Sequence, residues 1–120
     1  MIHQLRIYEI FESNKAAFHA RFREHAAPIM KRYGFDIIAM WETRRDAKGD
    51  RPAITEFVYL LAWPDEAAKT AAWDAFLRDP EWVEIKRRTA AEHGTLVGGI
   101  EDRTLHFVPY SPRSDADLAA

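Results

Sequence analysis

The sequence predicts an α+β domain with the element order βαββαβ, a four-stranded antiparallel sheet carrying its helices on one face. Three observations lead there. Apolar and aromatic runs of strand length recur at 2–11, 35–43, 54–63 and 96–108. Apolar residues at three- and four-residue steps fill the stretches 15–33 and 66–93. Glycine and proline punctuate the boundaries, at Gly34, Gly49, Pro52, Pro64, Pro80 and Gly94.

In the first segment Leu5 and Ile7 fall on one face, Arg6 and Tyr8 on the other. Ser13 or Asn14 then offers an N-cap. Phe18, Phe22, His25, Ile29 and Tyr33 share one stripe of the following helix. Pro28 lies inside it, where it removes a backbone bond and is expected to kink the helix, and Gly34 closes it. Arg44 to Pro52 reads as the loop of a hairpin joining the second and third strands. The third strand is nearly continuous in apolar character, the mark of a strand covered on both faces. Pro64-Asp65 opens the next helix, Asp79-Pro80 restarts it as a second piece, and Gly94 ends it. Gly98-Gly99 marks a bulge or bend near the start of the last strand. The polar segment 111–120 reads as a tail behind a domain spanning 1–110. This is the ferredoxin-like plan.

Helices on one face leave the other bare. Arg6, Tyr8, Phe57, Tyr59, Leu61 and Trp63 are the expected bare face, with Ile54, Val58 and Leu60 turned to the helices. A patch that apolar marks an interface, and a second copy packed sheet to sheet would cover it.

The chain has 120 residues, 48% of them hydrophobic and 30% charged, a globular profile with room for a core. A formal charge of −2 provides no field for nucleic acid. Without cysteine there are no disulfides, thiolate metal sites or thiol nucleophile. No apolar run approaches the ~20 residues of a membrane span. The opening Met1–Leu5 reads as a strand rather than a signal peptide, so the expected setting is cytoplasmic.

Several segments together resemble the NIPSNAP family. They are Leu5-Arg6-Ile7-Tyr8, Phe22 to Pro28 followed by Gly34-Phe35, Trp41, Glu56, Asp79-Pro80-Glu81-Trp82 and the closing Val108-Pro109-Tyr110-Ser111-Pro112, in family order across residues 1–112. The resemblance implies a dimeric α+β barrel, in which the sheets of two copies face each other. Gln4 stands where an acidic residue is common in the family and Tyr59 where a histidine is often found, so no role of that histidine carries over. The wider superfamily spans cofactor-free monooxygenases, small isomerases and haem-handling enzymes, so the fold does not select a reaction.

His25 and Glu56 are the candidate catalytic residues. A histidine on an apolar stripe and a carboxylate in an apolar strand would each be relieved by pairing, and the pair would make an oriented base. A purely structural polar pair is the competing reading. Arg6 and Tyr8 are candidate ligand-binding residues lining a dimer cleft, Arg6 gripping a carboxylate of a ligand, with a carboxylate of the partner copy or of its own sheet as the alternative. Trp41 and Tyr59 are further candidate ligand-binding residues; the four tryptophans, Trp41, Trp63, Trp73 and Trp82, supply bulk for core or interface anchoring or for stacking against a flat ligand. The five histidines have no metal-ligand spacing, since His19 and His25 fall on different sides of their helix, so no metal is expected. No cofactor is required.

Three functions stay open. The first is a small homodimer binding an apolar or aromatic molecule between sheet and helices, with cofactor-independent catalysis a further step. The second is a non-enzymatic structural or interaction module, marked by a helix–sheet layer with no void of about 300 Å³ or more. The third is a haem-binding protein using His25.

Overall fold

The computed structural model describes residues 1–118. Strand β1 (Ile2–Ile10) is followed by a 3₁₀ turn (Glu12–Asn14), helix α1 (Lys15–Arg21), a π turn (Phe22–Ala26) and helix α2 (Ala27–Arg32). Strands β2 (Asp36–Arg45) and β3 (Ile54–Trp63) form a hairpin. Helices α3 (Glu66–Arg78) and α4 (Pro80–His93) follow, then β4 (Val97–Leu105) and a short α5 (Asp115–Leu118). The sheet order is β2-β3-β1-β4 with every neighbour antiparallel, the ferredoxin-like arrangement.

The expected faces of the sheet are exchanged. Tyr8 pairs with Phe57 and Arg6 with Tyr59 across β1 and β3. These side chains turn toward the helices: Tyr8 packs edge-on against Phe18, Phe22 against Tyr59 and Phe57, and Phe35 against Trp63. Phe57, Tyr59, Leu61 and Trp63 are buried there, Tyr59 and Leu61 at 0% exposure. Leu5, Ile7, Val58 and Leu60 occupy the open face instead, each half-buried, with the half-exposed Trp41 opposite Val58. Rings outcompete aliphatic side chains for the helix side because they fill the deeper layer between α1, α2 and the sheet.

The first helix departs from a plain kink. The Ala27 N–H bonds the Phe22 carbonyl, five residues back, and Pro28 has no N–H to donate to Glu24. The wider turn adds Ala26 and Met30 to the buried side, where Phe22 and Ile29 keep their expected places, and His25 is left half-exposed.

The bulge expected at Gly98-Gly99 is present. Tyr8 pairs with Ile100 and Ile10 with Val97, so Glu9 alone faces two residues of β4. The Glu9 carboxylate lies over them, and a Cβ on Gly99 would sit 3.3 Å from its Cδ. β4 ends at Leu105 rather than running to 108. Phe107 contacts His3 edge-on, and Leu118 shares a small apolar hollow with His3, Leu60 and Phe107 at one end of the open face. The tail expected over 111–120 thus touches the sheet in its described part; positions 119 and 120 lie outside the described residues.

Asp79 ties the helices together. Its carboxylate caps α4 by accepting from the Trp82 N–H at 2.9 Å and accepts from the Tyr33 hydroxyl at 2.6 Å. The Tyr33 bond, then the backbone bond, hold its pKa below the ordinary carboxylate value. A depressed folded pKa adds stability that is complete above the unfolded value and lost as pH falls through the folded one. Asp79→Asn retains a capping side chain without a titrating charge. Urea titrations from pH 6 downward should therefore show the acid-induced loss of stability to be smaller in Asp79→Asn than in the wild type.

Candidate functional site

Between the sheet and the helices lies a cavity of about 240 Å³. Its sheet wall is Arg6, Tyr8, Val97 and Ile100; its helix wall includes Phe18, Phe22, Ala26, Trp73, Phe76 and Trp82. The π turn contributes here, since Phe22 and Ala26 open and close it. Leu77 and Ile100, both about half exposed, mark the mouth. Arg6, Arg21 and Lys86 also line the space, and no lining residue is acidic.

Arg6 is held in place from several sides. Its Nη1 donates to Asp102 Oδ2 at 2.7 Å and its Nη2 to the Tyr8 hydroxyl at 3.3 Å. The guanidinium carbon lies 4.4 Å from the centre of the Trp73 ring and 5.3 Å from that of Tyr8. Its Nε is enclosed without an acceptor. Burial pulls the Arg6 pKa down, but the facing Tyr8 and Tyr59 phenols outweigh it and hold the value above the ordinary one.

Gln4 organises the rest. Its Oε1 accepts from the Trp63 and Trp73 indole N–H groups at 2.9 and 2.8 Å, and its Nε2 donates to Asp102 Oδ2 at 2.8 Å. The amide can do both at once, whereas a carboxylate here would have no proton for Asp102. This accounts physically for the departure at this position.

Tyr8 and Tyr59 share a hydrogen bond of 2.5 Å. Tyr59 is fully enclosed, and burial, then the neighbouring Tyr8, push its pKa well above that of a free phenol, against the opposing pull of Arg6. Arg21 donates to Thr89 Oγ1 at 3.1 Å and sits 5.4 Å from the Trp82 ring centre. Among the described residues no carboxylate pairs with it. Burial pushes its pKa down, with only Tyr8 acting in the other direction.

Of the expected site residues, Arg6, Tyr8 and Tyr59 come together, but beneath the helices rather than in a cleft between copies. Trp41 stands apart on the open face. His25 and Glu56 are not brought together. His25 is half-exposed on the π turn, and Glu56 is on the open face opposite Glu9 and Thr43. The cause is the exchange of sheet faces combined with the widened turn in the helix. A helix histidine does meet a strand glutamate elsewhere: His19 Nε2 lies 3.0 Å from Glu42 Oε1, at the exposed edge of β2. Gln4, Arg21, Lys86 and Asp102 were not anticipated. The one available signal for Arg21 is its place beside Phe22 and three residues after Phe18, on the flank of the apolar stripe.

A βαββαβ chain with a four-stranded antiparallel sheet and helices packed on one face has the ferredoxin-like α+β fold. The chain belongs to the NIPSNAP family, whose model matches residues 3–112. No curated protein matches it. Among solved structures it is similar to an uncharacterized NIPSNAP domain protein from Burkholderia xenovorans, at 18% identity over 94% of this chain and 100% of that one, with a TM-score of 0.69. A NIPSNAP family protein from Agrobacterium tumefaciens is 18% identical over 92% and 96% of the two chains, with a TM-score of 0.71. More distant is an antibiotic biosynthesis monooxygenase, 16% identical over 91% and 100%, with a TM-score of 0.54. These likenesses establish the fold. Among the described residues no helix is long and apolar enough to cross a membrane, and no cluster of three or more histidines and carboxylates could hold a metal.

The raised Tyr59 pKa has a readout. Ultraviolet titration should show a tyrosine that ionises well above the ordinary phenol range, and Tyr59→Phe should remove that late step. Since the folded state holds this proton more tightly than the unfolded chain, stability should fall as pH climbs past the ordinary phenol value.

Proposed function

We propose that this NIPSNAP-family protein binds a small, flat apolar or aromatic molecule in the cavity between sheet and helices, and that it does so as a homodimer. The observation that carries the reading is the cavity itself: aromatic walls from both layers stand around unfilled space beside a cluster of ordered polar groups. Ligand sites have this composition, apolar walls with a few placed polar groups.

At about 240 Å³ the cavity is smaller than the ~300 Å³ at the low end of drug-sized sites. By volume alone a purely structural layer keeps its place. The lining favours a ligand, because two of its three cations, Arg21 and Lys86, have no carboxylate partner among the described residues. The size limits the guest to one or two rings. Haem is a poor fit, because the lining includes no imidazole. A second reading, turnover of the guest without a cofactor, rests on Tyr8. Its hydroxyl accepts from Arg6 and is coupled to Tyr59, a placement suited to proton donation as negative charge develops on a bound oxygen.

The dimer rests on the open face. Leu5, Ile7, Val58, Leu60 and Trp41 form a continuous apolar centre, with Glu9, Glu56, Glu101, Arg103 and Arg45 around it.

Two measurements test these statements. A thermal-shift panel of one- and two-ring aromatic compounds should raise the melting temperature of the wild type and not of Ala26→Phe, whose added ring fills the cavity. A panel without effect on the wild type would count against ligand binding. Sedimentation at micromolar concentration should give twice the 13.9 kDa chain mass, and Val58→Arg should convert the protein to monomer. A stable wild-type monomer would remove the dimer.

A further inference from the structure

We infer that the guest is an aromatic carboxylate, its anionic end held at the Arg21–Lys86 wall of the cavity and its ring lying among Trp73, Phe76 and Trp82. The inference rests on the binding reading above and adds the charge and orientation of the ligand.

Three cations line one aromatic space, and they are not equivalent. Arg6 already has Asp102, shared with Gln4. Arg21 has only neutral partners, the Trp82 ring and the Thr89 hydroxyl, whose own proton is shared between the Ile85 and Lys86 carbonyls. Lys86 stands 5.8 Å from the Trp82 ring centre with no carboxylate partner among the described residues. A half-buried cation without an anion is costly, and the fall in the Arg21 pKa reports the same deficit. A carboxylate would relieve it, and a guanidinium can grip both oxygens in the plane of the ring that carries them. The aromatic lining stands beside these cations: Trp82, close to both, stacks on Phe76 at 5.1 Å between centres, and Trp73 stands edge-on to Phe76.

Tyr8 adds a neutral donor on the sheet side. With the Tyr59 hydroxyl donating to Tyr8, the Tyr8 O–H is free to donate toward the cavity, where it can meet a second polar substituent of the ligand.

The probes are 2-naphthoate and its uncharged isostere 2-naphthamide, titrated calorimetrically against the full chain at pH 7. The acid should bind about tenfold or more tightly than the amide, as expected for a charge-assisted contact. Arg21→Gln should erase that preference while leaving amide binding in place, and Lys86→Gln should reduce it; the second variant serves if the first does not fold. Equal affinity for acid and amide, or a preference untouched by the variants, overturns the anion assignment and leaves the pocket standing. Failure of both probes to bind the wild type overturns the anion assignment and the pocket together.

Discussion

Successive side chains of a strand point to opposite faces, so the antiparallel register of β1 on β3 decides which residues meet the helices. Arg6 opposite Tyr59 and Tyr8 opposite Phe57 place a guanidinium and three rings in one layer. The next positions, Leu5, Ile7, Val58 and Leu60, necessarily look the other way. A slip of one residue would put the polar cluster outside and the aliphatic patch under α1 and α2. The cavity, its cations and the open apolar face are consequences of this one phase relation.

The buried polar groups enforce that phase. Gln4 answers two indole N–H groups and Asp102, while Arg6 answers Asp102 and Tyr8. Such groups cannot be buried in another register without losing partners, and each loss costs about 1–3 kcal/mol. Aromatic packing supplies stability; the hydrogen-bond network selects the arrangement. The same network leaves Arg21 and Lys86 out, which is why the charge at the helix wall is uncompensated.

Element order and most boundaries were legible in the residues. Pro64-Asp65, Asp79-Pro80 and Gly94 punctuate as their backbone chemistry requires, and Gly98-Gly99 forms the bulge. The sides of the sheet were not legible. β3 reads Ile-Thr-Glu-Phe-Val-Tyr-Leu-Leu-Ala-Trp, apolar on both faces, so alternation alone cannot say which face is deeper. The bulky rings Phe57, Tyr59 and Trp63 all share one parity, and their volume was the usable signal. The π turn was equally hidden: a 3.6-residue period assigns His25 to the stripe, and only the missing N–H of Pro28 hints that the period breaks there. The parity of β3 and the widened turn before Pro28 together account for the separation of His25 from Glu56.

The phase of β3 is therefore the claim to measure. Nuclear Overhauser contacts in the aromatic region report it directly, without ligand or variant. The account requires cross-peaks from the Phe22 ring to both Phe57 and Tyr59, whose ring centres lie 4.8 and 5.3 Å away. Cross-peaks from Phe18 and Phe22 to the methyls of Val58 and Leu60, in place of those ring contacts, would contradict it.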